Sequence, residues 1–278
     1  MERIVKRKRI SSAKNSGETS SDTTIPFKRV SRNSNNEPVR LNKYVAQSGV
    51  CSRRDADQLI AEGLIKVNGE VVTQLGTKVL TTDKVEFNGK TLQGERKIYI
   101  IMNKPKGYVT SLEDPHNDQD VIDLLNGKIK ERVYPVGRLD KNTTGVLLIT
   151  NDGDLTEILT HPSYEKKKIY HASLDRPASE QDLQKLVNGI ELEDEEDGTI
   201  SVSADEVSFV DSSRKEVGIE IHSGRNRIVR RMFEAIGYEV KSLDRVYFAG
   251  LTKLGLKRSW WRELTNAEIA MLKTGRYE

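Results

Sequence analysis

The sequence predicts an α+β protein of two folded modules behind a basic tail. Composition changes sharply at Arg40, two short helical patterns and a hairpin signal follow in order, and beyond Lys97 strand patterns predominate. Because those strands do not alternate regularly with helices, a doubly wound parallel fold is excluded. With 278 residues, 36% hydrophobic and 31% charged, the chain is long enough for two cores. The patterns set the tail at 1–39, the first module at 40–93 and the second at 97–278.

Residues 1–39 are rich in Ser, Asn, Thr and Lys and poor in large apolar side chains, the composition of a disordered segment. Nine basic residues against four acidic ones give them +5, so of the net +3 the remainder of the chain carries −2. Such a tail either adds phosphate contacts that weaken with salt or merely solubilises the chain. The rest is not generally basic, so any site for a polyanion must come from local clusters.

In the first module, Leu41, Tyr44 and Val45 fall at helical spacing with Gly49 as a stop. Ser52 and Asp55 have the spacing of a capping box opening a second helix, with Ala56, Leu59 and Ile60 on its apolar face and Gly63 at its end. Asn68-Gly69 stands between two alternating arms over Ile65 to Val72, a hairpin signal, and a strand follows over Asp83 to Phe87. Arg53 and Arg54 occupy a first helical turn, where the macrodipole disfavours positive charge. They point to an anionic partner, or else to a solvated turn.

In the second module, a polar linker (Thr91 to Lys97) leads to a strand over Ile98 to Met102, then a turn forced by Pro and Gly in Asn103-Lys104-Pro105-Lys106-Gly107. Arg132 to Val136 alternates charged and apolar residues. Gly145 to Thr150 is short, apolar and bounded by the Asn151-Asp152-Gly153 turn signal, so it reads as a buried strand. Between these strands lies a polar loop carrying Asp140, and loops on rigid scaffolds commonly carry function. Asp140 either closes an Asx-type turn on its own backbone or does chemistry. Lys166 to Leu174 opens with three lysines and becomes a strand carrying Tyr170, while the acidic run Glu191 to Asp197 reads as a solvated surface loop. Arg225, Arg227, Arg230 and Arg231 fall on the first turns of a helix whose buried stripe is Ile228, Val229, Met232, Phe233 and Ile236. Helical geometry puts Arg230 and Arg231 on opposite flanks of that stripe and does not choose between them. Thr265 and Glu268 form a capping box for a last helix.

Several classes are excluded. Cys51 is the only cysteine, so an internal disulfide and a multi-thiolate metal site are ruled out. His116, His161, His171 and His222 are scattered, none paired at i, i+4, and no metal is expected. Asn88-Gly89-Lys90-Thr91 superficially suggests a nucleotide loop, but position 84 is Lys where a P-loop needs Gly. No run approaches the ~20 apolar residues that span a bilayer, and the basic start lacks the apolar core of a secretory signal. A cytoplasmic protein with no membrane partner is the expectation.

Arg40 to about Leu92, beginning RLNKYVAQSGVCSRRDADQLIAEGLIKVNG, resembles the S4 RNA-binding domain, with Thr82-Asp83 where that family usually has Gly-Asp. The resemblance implies that Arg40, Lys43, Arg53, Arg54 and Lys66 face RNA. VGRLDKNTTGVLLITNDGDL over Val136 to Leu155, with KPKG before it and WRELT near the end, resembles the pseudouridine synthases, in particular the RsuA/RluB/RluE/RluF family that acts on ribosomal RNA. Implied are a catalytic domain with a mixed, largely antiparallel sheet crossed by the active cleft, and isomerisation of one uridine of ribosomal RNA, with 23S RNA favoured. Isomerisation involves no redox change or net hydrolysis, so no cofactor is expected. A monomer is expected. The same resemblance makes Asp140 catalytic, Tyr170 the aromatic stacked on the target base, and Arg230 the partner of Asp140. Arg225 and Arg227 are better placed for phosphate, and Arg138 for holding displaced RNA or filling the vacated space. Two rivals are a noncatalytic S4-containing ribosome-assembly factor using its second domain as an RNA clamp, and a nucleosidase in which water attacks the ribose.

Overall fold

A computed structural model describes residues 9–11, 37–111, 119–194 and 197–277. They form two compact units, one within residues 37–97 and the other comprising 98–277 with the strand β1 (Arg9–Ser11). That strand corrects part of the tail expectation: three residues read as disordered pair antiparallel with an edge of the larger sheet, whose open backbone groups accept a partner. The rest of the tail up to residue 36 lies outside the described residues.

The smaller unit runs β2 (Val39–Arg40), α1 (Leu41–Gln47), α2 (Arg53–Ala61), β3 (Ile65–Val67), β4 (Glu70–Val71), β5 (Lys78–Val79), β6 (Val85–Phe87) and β7 (Lys90–Thr91). The Ser52 hydroxyl accepts from the Asp55 amide at 3.2 Å and the Asp55 carboxylate accepts from the Ser52 amide at 3.1 Å, completing the predicted capping box of α2. Asn68 and Gly69 take φ of 51° and 89°, the left-handed pair that lets two residues join β3 to β4. Leu41, Val45, Ala56, Ile60, Ile65, Val79 and Val85 close the core between helices and strands.

The larger unit continues with β8 (Tyr99–Lys104), β9 (Tyr134–Pro135), β10 (Thr143–Thr150), α3 (Gly153–Thr160), β11 (Lys168–Leu174), α4 (Glu180–Asn188), β12 (Ile190–Asp194), β13 (Gly198–Val202), β14 (Glu206–Phe209), β15 (Glu216–Ile221), α5 (Ile228–Ala235), β16 (Val240–Phe248), β17 (Leu251–Thr252), β18 (Trp261–Glu263) and α6 (Asn266–Thr274). Its main sheet has the order β1-β14-β15-β11-β16-β10-β8-β18, with β17 on β16 and β9 on β10. Among the described strands of this sheet only β10 and β16 pair in parallel, so the expected mixed, largely antiparallel sheet is borne out. Every residue of β8 and β10 is buried, because both faces are covered; this is why β10 reads as a continuous apolar run rather than an alternating one.

Three expectations are corrected. The Asn151-Asp152-Gly153 signal starts a helix, since the Asp152 side chain accepts from the Leu155 amide and caps α3. The acidic run Glu191 to Asp197 is not a loop throughout: through Asp194 it belongs to β12, which pairs with β13, with Leu192 turned inward and its acidic neighbours outward. Finally, α5 begins at Ile228, because Arg227 sits at φ 48° and breaks the helical path; Arg225 and Arg227 therefore precede the helix.

Candidate active site

The loop carrying Asp140 is held from below by the end of β8 and the segment that follows it. Lys104 has no exposed surface, and its Nζ donates to the carbonyls of Thr143 at 2.9 Å, Pro105 and Asp140 at 3.1 Å, and Lys141 at 3.3 Å. Four acceptors share three protons, and three of them belong to the Asp140 loop. The Thr110 hydroxyl donates to the Leu139 carbonyl and accepts from the Leu139 amide, and the Gly107 amide donates to the Lys141 carbonyl. The turn forced by Pro105 and Gly107 thus fixes the main chain on both sides of Asp140.

Burial pulls the Lys104 amine down to about 8 from 10.5, against the opposing attraction of Asp140. Between those values the folded amine is neutral while the unfolded one is charged, so the unfolded state holds the extra proton. The lysine's contribution to stability therefore rises with pH across that window. Urea unfolding at a series of pH values is expected to show wild type gaining stability relative to Lys104→Met between pH 8 and 10. A constant difference would mean that Lys104 stays charged.

The Asp140 carboxylate is about one-third exposed and accepts from the Thr143 hydroxyl at 3.3 Å. Two guanidinium groups approach Oδ2, Arg227 through Nη1 and Arg230 through Nε, each at 3.9 Å. Arg227 is exposed, whereas Arg230 is buried and donates from Nη1 to the Val240 carbonyl at 2.7 Å. Burial lowers the Arg230 pKa from its ordinary value. Arg231 turns to the other flank, where Nη1 meets Asp194 at 3.0 Å. Tertiary partners thus separate the two arginines that helical geometry leaves equivalent.

Asp140 opens onto a cleft of about 590 Å³ lined also by Arg138, Tyr170, Arg225 and Arg227. Its floor comes from β11 and β16, where Tyr170 lies opposite Arg245 in the register. Tyr170 is buried on the strand face that also carries Lys168. The Lys168 amine donates to the carbonyls of Lys166 and His222, and burial pulls it down to about 8. Arg225 pairs with Asp197 at 2.6 Å, so the last acid of the run read as a solvated surface loop lines this cleft.

Arg40, Arg53, Arg54 and Lys66 are exposed and Lys43 half-buried, all in the smaller unit and none among the cleft residues. Sequence reasoning missed Lys104, Lys168, Arg245 and Asp197. A period-two reading would have put Lys168 on the face of Tyr170; for buried Lys104 and Arg245 there was no local signal. Among the described residues, no group of three or more His, Cys, Asp or Glu side chains is arranged to hold a metal ion.

A cleft on a mixed sheet, with a carboxylate between two arginines and an aromatic floor, in a chain whose preceding module is helix, helix, hairpin, points to an RNA-modifying class. The family model for RNA pseudouridylate synthase matches residues 98–235, and the S4 domain model matches residues 39–85. The chain is 42% identical over 236 residues to ribosomal large subunit pseudouridine synthase B of Bacillus subtilis, covering 84% of this chain and 95% of the relative. It is 35% identical over 237 residues to the dual-specificity RNA pseudouridine synthase RluF of Escherichia coli K12, covering 83% and 77%. A crystal structure of a pseudouridylate synthase superposes with a TM-score of 0.59 at 29% identity, covering 84% of this chain and 99% of the other. The chain belongs to the pseudouridine synthase family and is an RNA uridine isomerase carrying an S4 domain.

Proposed function

We propose that this enzyme converts one specific uridine of ribosomal RNA, in the large subunit, to pseudouridine, with Asp140 as its catalytic carboxylate. The observation that carries this reading is the position of Asp140 at the wall of the cleft, 3.9 Å from two guanidinium groups and beside an aromatic floor. The large-subunit assignment draws on the name of the B. subtilis relative.

In the reaction the bond from ribose C1′ to N1 breaks, the base turns, and C1′ joins C5; a proton leaves C5 and N1 takes one up. Asp140 serves the electron-poor C1′ created when N1 departs, as carboxylates do in glycoside chemistry. Tyr170 stacks on the uracil after the nucleotide leaves its RNA stack, and Arg230 orients Asp140 from beneath. Arg225 and Arg227 take phosphates, and Arg138, exposed beside Asp140, holds the displaced RNA. Arg40, Lys43, Arg53, Arg54 and Lys66 add RNA contacts from the S4 module.

In this reading the working unit is a monomer. The described residues contain no helix long and apolar enough to cross a membrane; a ribosomal RNA substrate puts the proposed reaction in the cytoplasm.

Because Asp197 holds Arg225 at 2.6 Å, RNA must compete with it. Asp197→Asn is expected to tighten RNA binding about twofold to fivefold at low salt and less at high salt, measured by fluorescence anisotropy. The function itself is tested by incubating purified protein with ribosomal RNA and analysing the nucleosides. Pseudouridine is the expected product; free uracil would indicate a hydrolase, and unchanged but bound RNA an assembly factor.

A further inference from the structure

Arg245 is 2% exposed on the cleft floor, and its Nη2 has no hydrogen-bond partner among the described residues. The rest of the side chain is anchored. Nε donates to the Val146 carbonyl at 2.8 Å, and the guanidinium carbon lies 4.6 Å from the Phe248 ring centroid. Tyr170 stands opposite it across the β11–β16 pairing; burial disfavours the cation, and the charge and hydrogen bond of the Tyr170 phenol oppose that, leaving Nη2 as the buried nitrogen without a partner. A guanidinium is always charged, and leaving one of its donors buried without an acceptor is costly. An anchored cation with one idle nitrogen, in a cleft, calls for an acceptor from a ligand.

Resting on the isomerase reading above, we propose that Arg245 donates to a carbonyl oxygen of the target uracil and holds the base while it is detached from the ribose. A base carbonyl fits better than a phosphate for two reasons. Arg245 is buried and lines the cleft together with Tyr170, Leu243 and Phe248, whereas Arg138, Arg225 and Arg227 are exposed. It also has one idle nitrogen, and the Lys168 amine already serves two backbone carbonyls. A phosphate would bring more acceptors than these groups can satisfy.

The chemistry of the turn gives the contact its purpose. Rotating uracil by half a turn about the line from N3 to C6 exchanges N1 with C5 and the C2 carbonyl with the C4 carbonyl. A donor facing one carbonyl therefore faces a carbonyl again afterwards, so Arg245 need not move between substrate and product. Cytosine lacks this symmetry, because its turn would bring an amino group to the same nitrogen; Arg245 is thus also a specificity residue for uracil.

The test uses the full-length enzyme and a ribosomal RNA fragment whose target position is uridine, 2-thiouridine or 4-thiouridine, with single-turnover rates read by mass spectrometry. Sulfur is a weaker acceptor, so wild type is expected to turn over both thio substrates roughly tenfold more slowly than uridine. Arg245→Met, which keeps the volume, is expected to be slow on all three and to distinguish them by less than about twofold. Equal wild-type rates on all three RNAs would overturn the proposal, and that arm needs no variant to fold. An undiminished thio penalty in Arg245→Met would overturn it too. Failure of wild type to form pseudouridine from plain uridine would instead refute the reaction, and this role with it.

Discussion

Asp140→Asn is expected to slow pseudouridine formation by about a thousandfold or more, while RNA affinity stays within about twofold of wild type. The substitution is nearly isosteric, and the main-chain bonds that shape the loop do not use the carboxylate: Lys104 binds the Asp140 carbonyl, the Thr143 amide donates to that same carbonyl, and the Thr143 hydroxyl can still donate to the remaining amide oxygen. What disappears is the negative charge facing the cleft between Arg227 and Arg230. RNA, itself anionic, loses no attraction from that change. Single-turnover rates and anisotropy titrations on the same RNA separate the two quantities. A variant that binds normally and still isomerises at a wild-type rate would remove Asp140 from the chemistry.

Gly145→Ala is expected to have the largest effect on folding. Gly145 lies at φ +108°, where L side chains are strained, and pairs with Arg245 in the parallel register of β10 and β16. A methyl group there would lie 2.7 Å from the Arg245 nitrogen and closer still to its carbonyl oxygen. Strain and overpacking against backbone together should cost about 3 kcal/mol or more, lowering the melting temperature by about 10 °C for a unit of this size. Activity should fall with it, because the same pairing sets β16, and hence Arg245, beside β10. An unchanged melting temperature by calorimetry would show that the two strands can part there without loss.

What could be read in advance depended on how local the determinant was. The Ser52 capping box, the Asn68-Gly69 hairpin and the strand over Gly145 to Thr150 are written in adjacent residues and recur in the fold. The β12–β13 hairpin was hidden because its acidic residues mask the period of Ile190 and Leu192. The choice between Arg230 and Arg231 depends on Val240 and Asp194, neither of which lies on their helix. Lys104 and Arg245 lay beyond local reasoning altogether. Their acceptors in the Asp140 loop and on β10 are distant in sequence, and a buried cation is intelligible only once those carbonyls surround it. For the same reason the loop holding Asp140 was evident, but what holds the loop was not.

On the function proposed above, the enzyme isomerises one ribosomal uridine and needs the Asp140 carboxylate to do so. The most direct test is a mass-shift map of pseudouridine, after chemical labelling, in ribosomal RNA from cells that lack this protein and from cells that carry only Asp140→Asn. Loss of the same single large-subunit site in both, restored by the wild-type chain, is the predicted result. A map unchanged in the deletion strain would take the modification away from this protein, and one unchanged in the Asp140→Asn strain would take the chemistry away from Asp140.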